Sequence, residues 1–170
     1  MQLDLKQVFQ QEGLKLPFDW TLDLSAQEVY GALPFPRPVA ITGTVENQDS
    51  VVRLRYHAVV EYQRECDRCL DPHTEVYKLD FEHMLTGDDQ GDGSDELVCI
   101  PDFRLDFDEL AREDIVLEMP TKHLCRQECK GLCPKCGCNL NHSQCGCDLS
   151  EPDPRLAALN DLLEMHDKEG

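Results

Sequence analysis

Cysteines are the residues of this chain whose type and spacing could do chemistry. Of ten cysteines, seven lie between positions 125 and 147: Cys125, Cys129, Cys133, Cys136, Cys138, Cys145 and Cys147. The inner run reads Cys133-Pro-Lys-Cys136, then eight residues, then Cys145-Gly-Cys147. Such spacing can close four thiolates around one tetrahedral metal ion without ligands from elsewhere. We therefore predict a four-cysteine site made by Cys133, Cys136, Cys145 and Cys147.

The segment that carries these cysteines is short of apolar residues. Its aliphatic residues over positions 122–150 are Leu124, Leu132, Leu140 and Leu149. Ordering a residue costs ~1–2 kcal/mol in backbone entropy, whereas zinc contributes about 10–16 kcal/mol in zinc-finger peptides. A structural Zn²⁺ is therefore our prediction. An iron–sulfur cluster is the first alternative, although the spacing matches none of the ferredoxin patterns, and disulfides or free thiols are the others.

A second metal site could form from the remaining paired cysteines. These are Cys66 with Cys69, and Cys125 with Cys129. Together they would supply four more thiolates, so the chain would hold one zinc ion or two. A redox function for the first pair is disfavoured, because no βαβ pattern surrounds it.

Three other residues bear on the ligand set. His142 lies inside the predicted zinc loop and could replace Cys145 or Cys147 as a ligand. Cys138 is a spare thiol beside the site, and Cys99 is most simply a thiol of the hydrophobic core.

Composition limits the function classes. The formal charge is -18 over 170 residues, and positions 80–114 contain thirteen acids against only Arg104 and Arg112. This charge disfavours a broad clamp on nucleic acid phosphates. Two interpretations of the acidic residues remain: a solvated surface, or a surface that binds a basic partner such as a ribosomal protein.

No phosphate-binding glycine loop, HExxH helix or nucleophile elbow is present in the sequence, so we predict that the protein is not an enzyme.

The start of the chain has no basic segment followed by an apolar run, and no membrane span is apparent. We therefore expect a cytoplasmic protein with reduced cysteines and no membrane partner.

Hydrophobic alternation indicates the fold. Positions 52–62 alternate with period two, which predicts a long strand with one buried face; positions 39–45 and 77–85 alternate similarly. Helices are predicted over 3–11, from Asp106 or Asp108 to Pro120, and from Asp153–Pro154 onward. The prediction is an α+β fold: an antiparallel sheet, a meander or partial barrel, flanked by helices, with a C-terminal cysteine-rich zinc-binding insert. Its parts are an α+β core over 1–121, a zinc-knuckle-like module over 122–150, and a helix and tail over 151–170.

With these residues laid out, the chain resembles the YceD family, which is named for accumulation of large-subunit ribosomal RNA. The likeness rests on four blocks of sequence: Cys66-Asp-Arg-Cys69-Leu70, the acidic amphipathic positions 106–120, Cys129-Lys-Gly-Leu-Cys-Pro-Lys-Cys-Gly137 followed by Asn139-Leu140-Asn141, and Asp153-Pro-Arg-Leu156.

The resemblance implies a bacterial, cytosolic, non-enzymatic factor in ribosome biogenesis. Its expected partner is a ribosomal protein or a pre-ribosomal large-subunit particle. Direct contact with ribosomal RNA through the basic residues of the zinc module is the alternative; those residues are Lys122, Arg126, Lys130 and Lys135.

Overall fold

A computed structural model describes residues 1–87 and 97–148 of the chain. In these residues the elements follow one another as β1 (Gln2–Asp4), α1 (Lys6–Gln10), β2 (Lys15–Leu22), β3 (Val39–Gln48), β4 (Val51–Glu65), β5 (Pro72–Thr86), β6 (Leu97–Cys99), a 3-10 turn (Pro101–Phe103), β7 (Arg104–Asp106) and α2 (Phe107–Glu118).

Five strands form the main sheet in the order β2-β3-β4-β5-β6, and β1 pairs with β7 in a separate two-stranded sheet. The first four strands are antiparallel and consecutive in sequence, which confirms the predicted meander. Strand β6 instead runs parallel to β5. The prediction of a purely antiparallel sheet is therefore wrong, because the sheet is mixed.

The core lies on one face of the sheet. Alternate side chains of β4 are at most 3% exposed: Val52, Leu54, Tyr56, Ala58, Val60 and Tyr62. The predicted period-two strand is thus confirmed.

Gly43 of β3 lies opposite Tyr56, and a Cβ at this position would lie 2.5 Å from the Phe18 ring and 2.7 Å from the Tyr56 Cβ. Only glycine leaves room there for these two aromatic side chains.

Helices cover less of the sheet than predicted. The helix expected over 3–11 is reduced to α1, because Gln2–Asp4 pairs with β7 as a strand. Helix α2 matches its prediction: Asp106 caps it by accepting a hydrogen bond from the Glu109 amide, and Phe107, Ala111 and Ile115 are buried. The helix expected from Asp153 lies outside the described residues.

The chain forms two compact units. The first contains Met1–Cys66 and Asp71–Cys125, and it holds all the strands and helices above. The second contains Asp67–Leu70 and the residues from Arg126 onward. No helix in the described part of the chain is long and apolar enough to cross a membrane.

Candidate metal centres

Four cysteines of the second unit bring their sulfur atoms together. The Sγ atoms of Cys133, Cys136, Cys145 and Cys147, which we call the inner cysteine group, all lie within 4.8 Å of one another. A tetrahedral zinc site with Zn–S bonds of about 2.3 Å separates its sulfurs by about 3.8 Å. The sulfur atoms of the inner group are therefore close enough together for a single ion to bind all four.

A tight turn positions the first two ligands of this group. The Cys133 amide donates to the Cys138 carbonyl, and the Gly137 amide donates to the Cys133 carbonyl, both at 2.8 Å. Leu132 and Asn139 form an isolated antiparallel bridge that closes the loop. Gly137 has φ +72°, a left-handed conformation that a residue with a side chain adopts only with strain. The Pro-x-Cys-Gly sequence is therefore the local cause of the turn.

Backbone amides prepare one sulfur of the inner group as an anion. Hydrogen bonds from the Cys136 and Lys135 amides lower the pKa of the Cys133 thiol to about 6. The hydrogen bond with Cys136 and, after it, burial together raise the pKa of Cys147 to about 12. At neutral pH a metal-free inner group would thus hold Cys133 as a thiolate, the form that binds metal.

A fifth thiol touches the inner group without belonging to it. Burial, together with hydrogen bonds to Cys136 and Cys145, raises the pKa of Cys138 to about 11. Cys138 is therefore protonated at neutral pH in the metal-free protein. This arrangement agrees with its predicted position as a spare thiol beside the site.

The paired cysteines make a second set of four sulfurs. The Sγ atoms of Cys66, Cys69, Cys125 and Cys129, the outer cysteine group, also lie within 4.8 Å of one another. Three of these residues are buried, and Cys125 is half-buried. Two cysteine groups of the described residues could therefore hold a metal ion.

Two polar residues support the outer group and were not predicted from the sequence. The Asn141 side-chain amide donates to the Cys129 sulfur at 3.2 Å. The Arg68 guanidinium donates to the Cys129 carbonyl at 2.9 Å, and the Arg68 carbonyl in turn accepts from the Leu132 amide at 3.0 Å. Donors of this kind orient a ligand and offset thiolate charge.

The structure also places the remaining candidates. Cys99 is exposed at the end of β6, so its prediction as a core thiol is wrong. A three-residue strand that starts after an acidic segment carries no pattern that would reveal its exposed side. His142 is exposed, and the inner group consists of cysteines alone.

The donor set decides which metals fit. Four thiolates in tetrahedral arrangement suit Zn²⁺ or iron with sulfide, and they do not suit the hard cations Mg²⁺ or Ca²⁺. The described molecule is therefore a mostly β protein with a small cysteine-rich unit, and each of its two groups of four cysteines could hold a metal ion.

Comparison with known proteins identifies the family. A family model described as "Large ribosomal RNA subunit accumulation protein YceD" matches residues 54–163, well over half of the chain. The chain belongs to the YceD family.

Several individual proteins are similar to this chain, and one of them carries the family name. The chain is similar to "Large ribosomal RNA subunit accumulation protein YCED homolog 1, chloroplastic" of Arabidopsis thaliana, with 37% identity over 81 residues, which are 46% of this chain and 25% of the relative. An uncharacterized protein of Mycobacterium tuberculosis is 33% identical over 103 residues, 58% of this chain and 49% of the relative. The chain therefore spans a quarter to a half of these relatives. The uncharacterized protein YlbN of Bacillus subtilis is 24% identical over 171 residues, 99% of each chain. No solved structure matches the chain.

Proposed function

We propose that this chain is a non-enzymatic factor in the cytoplasm that supports accumulation of large-subunit ribosomal RNA by binding a ribosomal protein or a pre-ribosomal particle. The observation that carries the proposal is the YceD family match over residues 54–163. The family is named for accumulation of the large ribosomal RNA subunit, and this name supports a function in ribosome biogenesis. That the chain acts by binding a protein is our inference from its negative charge.

Electrostatics favours a basic protein partner. The formal charge of -18 repels RNA phosphates and attracts the cationic segments of proteins that await RNA. An acidic surface would also keep such a protein soluble until it is delivered. Association of this kind is steered by long-range charge and weakens as salt screens it, over a Debye length of about 8 Å at physiological ionic strength.

We propose that zinc has a structural function in the cysteine-rich module over 122–150. The inner cysteine group would hold one ion and the outer group a second. Thiolate ligands would fill every coordination position, which leaves no open position for substrate. The ions would then stabilise the fold without performing catalysis.

An affinity capture at low salt tests the main proposal. The tagged full chain is incubated with a bacterial lysate, and bound material is identified by mass spectrometry and washed off with a salt gradient. We expect ribosomal proteins or pre-subunit particles that elute as salt rises. Recovery of neither, with normal ribosomal RNA levels in a deletion strain, would contradict the proposal.

Direct RNA binding through the second unit is the alternative function. Arg126, Lys130 and Lys135 are exposed there, and they could contact phosphates. In the described part of this unit, however, its four Arg and Lys side chains outnumber its acids by one only. A zinc ion bound by four thiolates adds a net charge of -2 at each site, which offsets that small excess.

A gel shift with ribosomal RNA fragments separates the two functions. The alternative predicts a shift that Lys130→Glu with Lys135→Glu abolishes. Lys15→Glu with Lys78→Glu, which makes the same charge change on strands of the first unit, serves as the matched control. Absence of any shift would exclude direct RNA binding.

A further inference from the structure

Strand β5 leaves most of one edge without a partner strand among the described residues. It pairs with β4 along Pro72–Leu85, but with β6 only at Met84–Thr86. Within the part of the chain that the structure describes, the residues between Pro72 and Met84 therefore form a long free edge of the sheet. Such an edge is a template for another extended chain.

The direction of the backbone groups along this edge follows from two hydrogen bonds. The Gln63 amide of β4 donates to the Pro34 carbonyl, away from β5, and Gln63 lies opposite Thr74. The Thr86 carbonyl accepts from the Ile100 amide, again away from β4. Because the direction alternates along a strand, the even-numbered residues of β5 point their N–H and C=O groups outward. These residues are Thr74, Val76, Lys78, Asp80 and Glu82.

The opposite edge of the sheet is blocked. The Asn47 amide of β3 donates toward the β2 side, to the Leu14 carbonyl, so the odd-numbered residues of β2 point their backbone outward. One of them is Pro17, which has no N–H to donate. Proline at such a position disfavours strand addition, whereas β5 has no proline after Pro72. The two edges are therefore not equivalent.

Side chains of β5 also lack cover on the core face. Tyr77, Leu79 and Phe81 are only half-buried, although their neighbours across β4, including Val60 and Ala58, are fully buried. An added strand would cover the outer sides of these three side chains. Covering apolar area is worth about 25 cal/mol per Å², so the occupant should present apolar residues toward this face.

Charged side chains on the face of β5 opposite the core indicate which kind of segment could bind along this edge. Asp80 and Glu82 project from the open face, with side chains 87% and 53% exposed, and they contact His57 and Arg55 of β4. The formal charge of -18 on each chain opposes pairing of two copies. The same charge favours a cationic occupant.

We propose that the free edge of β5 is a docking site for an extended basic segment of a partner protein, which adds to the sheet as a sixth strand next to β5. The inference rests on the proposed function and names the surface through which that function acts. The partner segment alternates apolar residues, which cover Tyr77, Leu79 and Phe81, with lysine or arginine, which face Asp80 and Glu82. Main-chain hydrogen bonds supply affinity in this mode of recognition, and the alternating side chains supply specificity.

A synthetic peptide tests the docking site directly. The probe is a peptide of alternating lysine and valine, about ten residues long, which spans about 33 Å when extended. Titration into the full chain with zinc present should show saturable, salt-sensitive binding. Amide hydrogen exchange should slow at Val76, Lys78 and Asp80, whose N–H groups would become bonded. The matched peptide of alternating glutamate and valine should not bind.

Two proline variants test the edge within the protein. Lys78→Pro removes an outward N–H of β5, and we expect it to weaken peptide binding about tenfold or more. Asp19→Pro is the matched control, because it changes an outward position on the β2 edge that Pro17 already blocks, and it should bind as the wild type does. A second test avoids any folding defect: N-methylation of one alternate set of peptide amides should abolish binding, and methylation of the other set should not.

The outcomes separate this inference from the proposed function. Equal binding by Lys78→Pro, or exchange protection elsewhere than β5, would overturn edge docking even if ribosomal proteins are captured from lysate. Capture of no ribosomal protein, with peptide binding and β5 protection intact, would overturn the proposed function and keep the docking site. A wild-type dimer in analytical ultracentrifugation that Lys78→Pro dissolves would assign the edge to a second copy and overturn the partner named here.

Discussion

Asn141 shows how one side chain links the backbone of the cysteine-rich unit to a candidate ligand. Its Oδ1 accepts from the Lys130 amide at 2.9 Å and from the Arg126 guanidinium at 2.7 Å. Its Nδ2 donates to the Cys129 sulfur at 3.2 Å. The amide is thus fixed in orientation, and its N–H is directed at a sulfur that carries negative charge when it binds metal.

Replacing Asn141 should therefore weaken metal binding at the outer group. We expect Asn141→Ala to lower zinc affinity there about 10–100-fold, because removal of an outer hydrogen-bond partner usually has this effect. Competition with a chromogenic chelator measures the change. Gln144→Ala, an exposed amide in the same unit, should leave both affinities unchanged; an equal loss in both variants would contradict the assignment.

Cys133 and Cys138 should differ sharply when each is replaced by serine. Cys133 belongs to the inner group, and backbone amides favour its thiolate. Cys138 only touches that group. Native mass spectrometry should find two zinc ions per wild-type chain, one in Cys133→Ser and two in Cys138→Ser. Retention of both ions in Cys133→Ser would exclude the inner group as a zinc site.

Single residues also show where sequence reasoning reaches its limit. The inner group could be predicted from the spacing of its four cysteines between Cys133 and Cys147. Candidate ligands that are close in sequence need only a turn to bring their side chains together. Asn141 could not be recognised in this way, because its side chain bonds to Lys130, Cys129 and Arg126, which lie eleven, twelve and fifteen positions away and which no spacing rule connects to it. Cys99 was wrongly placed in the core because three residues of strand carry too little pattern.

At the scale of elements, a half-buried carboxylate attaches α2 to the sheet. Asp114 of α2 accepts hydrogen bonds from the Tyr56 hydroxyl of β4 and from His83 Nε2 of β5, the latter at 2.6 Å. Phe107 of the same helix packs edge-on against Tyr56, with ring centroids 5.1 Å apart. The helix is therefore held by polar contacts with β4 and β5 and by an aromatic contact with β4.

Removing this carboxylate should destabilise the first unit. We expect Asp114→Ala to lower the free energy of unfolding by about 2–3 kcal/mol, because the Tyr56 hydroxyl would lose a charged partner inside the protein. Urea unfolding followed by circular dichroism measures the change. Glu113→Ala, an exposed neighbour that lies beside Arg112, should change stability by less than about 0.5 kcal/mol. Equal effects would show that the helix is held by apolar contacts alone.

The same contact predicts sensitivity to alkali. Burial raises the pKa of Tyr56, and the hydrogen bond to Asp114 raises it further. Because the unfolded tyrosine ionises near pH 10, this stabilisation is present below about pH 10 and is lost as the pH rises beyond it. The free energy of unfolding should then fall by up to about 1.4 kcal/mol per pH unit through this group. Tyr56→Phe should reduce that slope, whereas Tyr30→Phe, an exposed tyrosine, should leave it unchanged.

Strands and helices could be predicted from the sequence where they carry a long hydrophobic pattern or a capping residue. The pairing and direction of short strands could not, because these depend on distant parts of the chain. The alternation over 52–62 and the Asp106 cap of α2 both fix local structure, and both agree with β4 and α2. The parallel pairing of β6 with β5 could not be inferred, because alternation shows which face of a strand is buried but not the direction of its neighbour. The helix predicted over 3–11 wrongly included Leu3 and Asp4 of β1, because the partner strand β7 lies about a hundred positions away.

For the whole molecule, the two units differ in what fills their interiors. The hydrophobic core cluster consists of residues from Leu5 to Met119 and includes no cysteine. In the described part of the second unit the buried residues are Cys69, Cys129, Gly131 and Cys133, whereas Leu70 is 56% exposed. The first unit therefore carries its own apolar interior, and the second buries little other than sulfur and backbone.

Removal of metal should consequently affect the two units differently. A strong chelator at neutral pH, added to the intact protein under reducing conditions, should release zinc and raise the number of titratable thiols toward ten. We expect amides near Cys133 and Gly137 to exchange rapidly, because about 10–16 kcal/mol of binding free energy per ion would be lost there. Amides of Val60 and Tyr62 in β4 should stay protected, since their environment is apolar. Addition of zinc should restore the original pattern. Protection of the Cys133 turn that survives complete loss of metal would mean that this unit orders itself without an ion, and it would remove the basis for a structural function of zinc.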